Sequence, residues 1–589
     1  DSDSSTANSA NSAAAAQTNE SVDVTAVADK LKNGIEFKDE LAELDEAKIE
    51  KIIGISADSY TKAKVYVSSS GGTAEEIDCF EAKDADSAKA IADTLTARVE
   101  SQKKVFENYV PEARINKYML FSSTTFLFAF LPIVLITYYI VPRITRNLVL
   151  FIFSLVFYAW GEPVYIVLMI ASTIVAYITG LLADKQRKNA KKYTPLIAMI
   201  GAVVWNIGLL LFFKYTDFFI GAANSIFGTQ IKTLGLALPI GISFYSFQTL
   251  SYVIDVYKGE VRSQKNFLDL ATYVALFPQL IAGPIVRYID VAEQLKKRNE
   301  SIEHFAQGVW RFSIGLGKKV ILANTIGELF DTISNSAQSE LSVAASWLGI
   351  IAYTFQIYFD FSGYSDMAIG LGKMFGFDFL ENFNYPYIST SITDFWRRWH
   401  MSLSSWFRDY VYIPLGGNRK GKARQCLNIM IVWFLTGFWH GANWNFMLWG
   451  VYFGVILLCE KLFLGKALKK IPAFFQHIYA LLFIVIGWGI FSYEDFGKLT
   501  QNFKNMFGAG GLPLINHQTV FWLAQYAVTI VILVIASTQL PKKLCLKLQT
   551  KCPEICGCIL QPLWALTLLA VSTAYLAGNS FNPFLYFRF

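Results

Sequence analysis

The chain has 589 residues, 53% hydrophobic and 15% aromatic, and a formal net charge of +6. An ordinary soluble globular protein is excluded, because its surface must be wetted and cannot average so apolar a content. Residues 1–112 hold 23 acidic and 12 basic residues, while residues 113–589 hold 23 acidic and 40 basic ones. The bases of the second part sit in short loops between apolar runs, as topology determinants do, so no nucleic-acid partner is expected.

Residues 1–20 are almost all Ser, Ala, Asn, Asp and Thr and read as a disordered tether, as would follow a cleaved leader. Residues 21–112 read as a small extracytoplasmic α+β domain. Val22–Leu31 and Glu40–Ile53 are expected as helices, Tyr60–Ser68 and Glu76–Glu81 as a hairpin around a turn at Ser69–Gly72, and Ala85–Tyr109 as a long amphipathic helix. No catalytic constellation stands out there. Met119 looks like the start of a membrane protein, and the whole like a fusion.

Residues 113–589 carry apolar runs long enough to cross a bilayer, from Thr125–Val141 to Ile559–Ala577, and about 10–13 membrane segments are expected. Trp310–Leu322, Ile429–Trp449 and Val451–Leu464 are among the expected spans. Basic loops at Arg143–Arg146, Lys185–Lys192, Lys258–Lys265, Arg419–Arg424, Lys466–Lys470 and Lys542–Lys551 belong on the cytoplasmic side. The N-terminal domain and the C-terminal tail are then extracytoplasmic.

There are five histidines. His304, His477 and His517 lie near span ends or in polar loops and are expected at the surface. His400 ends DFWRRWH, and His440 stands in TGFWHGANW inside a long apolar run. An ionisable side chain at membrane depth is costly and faces a cavity; histidine suits proton transfer near neutral pH. From residue type alone His440 reads equally as a packing residue or a catalyst. The seven cysteines lack the paired close spacing of a metal site, and no metal is expected. No serine-hydrolase elbow, Walker loop or HExxH motif occurs. GLGKK (Gly315–Lys319) and GLGK (Gly370–Lys373) read as helix-packing glycines ending at a cytoplasmic lysine.

Six segments carry a resemblance. FPQLIAGPIVRY (Phe277–Tyr288), GLGKKVILAN (Gly315–Asn324), QIYFDFSGYSDMAIGLGKMFGF (Gln356–Phe377), NFNYPY (Asn382–Tyr387), DFWRRWHMSLSSWFRDYVYIPLGG (Asp394–Gly417) and FLTGFWHGANWNF (Phe434–Phe446) resemble the membrane-bound O-acyltransferases. Within them the chain is most similar to the bacterial branch that O-acetylates alginate and other polysaccharides, with the D-alanyl transferases of teichoic acid nearby. Residues 21–112 resemble a small lipoprotein domain of unknown function.

The resemblance implies an all-α polytopic membrane protein, a ring of tilted helices around a tunnel. It implies His440 as the catalytic residue midway through that tunnel and His400 nearer the donor entrance, with Asn384 and Asp394 as polar tunnel residues. Arg397, Arg398 and Arg408, with Arg419, Lys420, Lys422 and Arg424, would form a basic docking surface for acetyl-CoA or an acyl carrier protein, while no cofactor is bound. The terminal FLYFRF fits a pattern of Phe584, Tyr586 and Phe589, similar to tails proposed to relay an acyl group through a tyrosine. An extracellular acyltransferase- or esterase-like partner would pass that group to cell-wall or extracellular polysaccharide.

Overall fold

The computed structural model describes residues 23–34, 41–68, 76–109, 119–184, 192–236, 238–281, 283–578 and 585. The turn expected at Ser69–Gly72 and the tail residues Phe584, Tyr586 and Phe589 lie outside them. The chain divides into two compact units, Asp1–Pro111 and Glu112–Phe589.

The first unit is built on an antiparallel sheet in the order β1 (Leu41–Glu43), β2 (Tyr60–Ser68), β3 (Glu76–Ala82). The β2–β3 hairpin stands as expected, with Tyr66 opposite Ile77. Alternation along β2 places successive residues on opposite faces. Val65 joins Ile49, Ile53, Tyr60 and Ile91 in one cluster, while Tyr66 joins Ala28, Leu41 and Ile77 in another. The helix expected over Glu40–Ile53 is corrected: Leu41–Glu43 is a strand on the free edge of β2, and helical turns occupy only Glu46–Ile53. Leu, Ala and Glu are good helix formers, but propensity is a weak prior, and pairing with a neighbouring strand overrides it over three residues.

In the second unit, seven helices among the described residues are long and apolar enough to cross a membrane. They run from Arg143–Gly161 to Pro553–Gly578. Their outward faces are apolar: Ile178, Val204, Val528 and Leu566 are all exposed, a surface suited to lipid and not to water. Helix Val343–Met374 is different. It is buried nearly throughout its 32 residues and forms the axis of the unit.

Helical residues 302–335 lie against that axis, backbone to backbone. A Cβ on Gly315 would meet the Gly363 carbonyl oxygen at 2.6 Å, and one on Gly370 would meet the Phe312 nitrogen at 2.6 Å. The glycines of the GLGKK and GLGK segments are therefore packing glycines, as their pattern indicates. One lysine departs from that pattern. Lys319 is 1% exposed and pairs with the 4%-exposed Asp360 at 2.7 Å, inside the unit. Lys318 pairs with Asp366.

Two further expectations change. The span expected at Ile429–Trp449 is two helices, Lys422–His440 and Trp444–Cys459, broken at Gly441. Gly441 is extended (φ −165°), and the two helices return along each other where a Cβ on Gly437 would stand 3.2 Å from the Gly450 Cα. Hydropathy cannot register such a break because both sides of it are apolar. His304, expected at the surface, is 6% exposed and bonds the Asn299 carbonyl and the Asp378 carboxylate.

Candidate functional site

A cavity of about 790 Å³ brings both sequence-singled histidines together. His440 is the last residue of helix Lys422–His440, and its ring packs edge-on against Trp449 (5.1 Å) and Phe491 (5.3 Å). His400 comes from a separate element, the junction of the short helices Ile392–Arg398 and Met401–Phe407.

That junction is strained. His400 has φ 43° and ψ 55°, one of only two non-glycine residues among those described with a positive φ. A bulky residue enters this region at a cost, and the surroundings must hold it there. They do so chiefly through Asn382, which is fully buried. Its carbonyl oxygen accepts the Ser402 N–H (3.3 Å) and the Ser402 hydroxyl (2.9 Å), and lies 3.0 Å from His400 Nδ1. A backbone N–H can only donate, so this oxygen is an acceptor and His400 Nδ1 carries the proton. Nε2 then presents its lone pair. It is buried and has no protein hydrogen-bond partner, and His400 lines the cavity. Asn382 Nδ2 donates to Ser365 on the axial helix, and Ser402 Oγ accepts the Ile285 N–H. The Phe361 ring abuts His400 edge-on at 4.7 Å.

The cavity walls are aromatic and aliphatic, including Trp396, Trp399, Phe407 and Trp433. Its basic lining residues are Arg397, Arg408, Lys461, Lys466 and Lys469. The carboxylates present are already engaged. Asp394 pairs with Arg398, and Glu460 accepts the Ile392 and Thr393 N–H groups. A pocket with histidines among aromatic walls and cations among its lining residues fits a ligand with an apolar or reactive end and an anionic end.

Of the docking arginines expected from sequence, Arg397 and Arg408 line this cavity. Arg398 is turned to Asp394 and the Asn384 carbonyl, and Arg419, Lys420, Lys422 and Arg424 are exposed and not among the lining residues. Asp394 does line it. Asn384 is exposed and uses its backbone only, toward Arg398; the amide at the histidine is Asn382, two residues earlier in the same NFNYPY segment. The expectation fell on Asn384, and nothing in the local pattern pointed to Asn382 instead. Lys466 and Lys469 were legible only as a loop charge, Lys461 fell inside the span expected at Val451–Leu464, and Lys214 was not legible at all. Its Nζ donates to the carbonyls of Trp439 (2.7 Å) and His440 (2.9 Å).

Helices apolar enough to span a bilayer, in a unit whose cavity is lined by both histidines, define a polytopic membrane protein with one candidate site. Residues 258–496 match the membrane-bound O-acyltransferase family, and residues 33–116 match a domain of unknown function, DUF4358. The chain is 43% identical over 403 residues to a probable alginate O-acetylase of Azotobacter vinelandii, covering 67% of this chain and 79% of that one. It is 36% identical over 432 residues to a peptidoglycan O-acetyltransferase of Helicobacter pylori (67% and 81% covered). It is 28% identical over 339 residues to a teichoic acid D-alanyltransferase of Bacillus subtilis (55% and 83% covered). The chain belongs to the membrane-bound O-acyltransferase family and is a multi-pass membrane O-acyltransferase.

Proposed function

We propose that this enzyme moves an acetyl group from cytoplasmic acetyl-CoA across the membrane, for O-acetylation of an extracellular or cell-wall polysaccharide. The observation that carries this reading is the single cavity shared by His400 and His440 and lined by Arg397, Arg408, Lys461, Lys466 and Lys469. Phosphates of the donor suit those cations. Lys466 and Lys469 belong to a basic loop that the positive-inside rule assigns to the cytoplasm, with the N-terminal domain and the tail outside. The greater identity to acetyl-transferring relatives than to the D-alanyl-transferring one favours acetyl as the cargo.

His440 acts as general base. It takes the proton of the attacking hydroxyl as oxygen bonds to the thioester carbonyl carbon. The tetrahedral intermediate then expels the thiolate, which takes up the proton that His440 holds. His400, with Nδ1–H fixed on Asn382, keeps Nε2 as an acceptor on the donor's path. The hydroxyl is that of Tyr586, which receives the acetyl group and yields it to an extracytoplasmic acyltransferase- or esterase-like partner. Tyr586 itself lies outside the described residues. Its neighbour Leu585 is 2% exposed and donates its N–H to Asp360 (3.1 Å), the residue preceding Phe361 at the His400 ring.

Intact-protein mass spectrometry after incubation with isotopically labelled acetyl-CoA tests all of this. Label on Tyr586 that vanishes in His440→Ala supports donor, base and relay together. Label obtained only from a D-alanyl carrier protein replaces the donor and keeps the chemistry. Transfer that survives His440→Ala sinks the proposal.

A further inference from the structure

Thr194–Phe227 is a 34-residue apolar helical stretch with only two charged residues, Lys214 and Asp217. Asp217 is spent on a loop, accepting the N–H groups of Leu234 and Gly235. A lysine in such a stretch ordinarily stretches toward the aqueous interface. Lys214 does the reverse. It sits in a wide turn, Leu211–Tyr215, and its ammonium turns into the protein to bond two backbone carbonyls. Wide turns of this kind recur at functional sites.

The carbonyls are those of Trp439 and His440, the last two residues of their helix. The final carbonyls of a helix have no partner within it and concentrate the negative end of its dipole. The next residue of the lysine's turn works on the same end. Tyr215 stacks face to face on Phe438, with ring centroids 3.8 Å apart and planes 6° apart. Lys214 and Tyr215 thus grip three consecutive residues, 438, 439 and 440, from a helix more than two hundred positions earlier in the chain.

A neutral donor such as glutamine would satisfy a carbonyl without burying a charge, so the charge itself has a use here. An oxyanion forming beside His440 stands next to the negative end of a helix, and an ammonium on that end offsets the repulsion. We propose that Lys214 is a positioning residue for His440: it fixes the helix end that carries the imidazole and neutralises that end's charge as the reaction proceeds. The inference rests on His440 being the base proposed above.

The test uses the full chain in lipid nanodiscs with acetyl-CoA as donor, comparing Lys214→Arg, Lys214→Gln, Lys214→Met and His440→Ala. A misplacement near 1 Å is worth about 100-fold in rate. Lys214→Met is expected to lower kcat by about that factor with KM for acetyl-CoA unchanged, Lys214→Gln to fall between, and Lys214→Arg to stay near the native rate. A role in folding alone would lower the melting temperature and leave kcat per folded molecule intact. That outcome overturns the proposal, as does a rise in KM at constant kcat. If Lys214→Met does not fold, a native kcat in Lys214→Gln overturns it equally. Carbethoxylation of His440, followed by peptide mass spectrometry, needs no donor. Its rate should change in Lys214→Met and not in Lys214→Arg, and equal rates in all three chains refute the positioning role. Activity surviving in His440→Ala is a different failure, that of the base assignment.

Discussion

Asn382→Ala is the most informative single substitution. The side chain is fully buried and its oxygen serves three donors: His400 Nδ1–H, the Ser402 N–H and the Ser402 hydroxyl. The hydroxyl can rotate to another acceptor, but the imidazole N–H and the backbone N–H are fixed in direction. Leaving each buried and unpaired costs about 1–3 kcal/mol. Loss of the bond to Ser365 and a small cavity add to this. A destabilisation of about 3–5 kcal/mol follows, on the sum of these orphaned groups. His400, whose backbone stands at φ 43°, also loses the bond at Nδ1 that fixes its ring tautomer. Activity should therefore fall further than the folded fraction does. Asn384→Ala is the control, two residues away, exposed and bonded through its backbone only. It should stay within about 0.5 kcal/mol of the native chain. Urea or thermal unfolding of the detergent-solubilised protein, read by tryptophan fluorescence, measures both. The reasoning is refuted if Asn382→Ala is as stable as the native protein, or if Asn384→Ala costs more.

Other consequences can be checked in the same preparations. His440→Ala should abolish labelling of Tyr586 from acetyl-CoA while its melting temperature stays near native, which separates loss of chemistry from loss of folding. Breaking the buried Lys319–Asp360 pair by Lys319→Met alone or Asp360→Asn alone should cost about 3–5 kcal/mol each, whereas the double change Lys319→Met with Asp360→Leu should cost less than either, as unfolding curves would show. In the N-terminal unit, burial and the neighbouring Glu76 carboxylate push the Asp78 carboxyl up to about 8. The folded unit keeps that proton where the unfolded chain has lost it, so its stability falls as pH rises from about 4 to about 8. Asp78→Asn should flatten that slope in pH-dependent unfolding; an unchanged slope refutes the assignment.

Much of the catalytic unit was legible because its requirements are local. An apolar run of about twenty residues declares a membrane helix whatever surrounds it. An imidazole in such a run is costly, which is why His440 stood out; residue type left it between packing and catalysis, and the long motif around it carried the resemblance to the family. The hairpin of the N-terminal unit was legible for the same reason, since alternation and a turn are properties of adjacent residues.

The misreadings share one cause, which is that the deciding partner is distant in sequence. Leu41–Glu43 became a strand because β2 offered it an edge. His304 went inward because Asp378 and Asn299 receive its ring. Lys319 left the surface for Asp360, and Asn382 rather than Asn384 took the histidine because only the former's side chain reaches Ser402 and Ser365.

What the sequence determined by itself is the membrane-embedded helical class and the two-part chain, fixed by composition and short-range pattern; the two histidines were singled out as candidates by the family resemblance of the motifs around them. What the tertiary structure alone decided is the chamber. It broke one apolar run at Gly441, so that His440 ends a helix instead of lying within one, and it set Lys214 on that end and His400 across the same cavity. Those placements depend on side chains meeting across hundreds of residues, where only packing and hydrogen-bond geometry choose among residues that hydropathy treats alike.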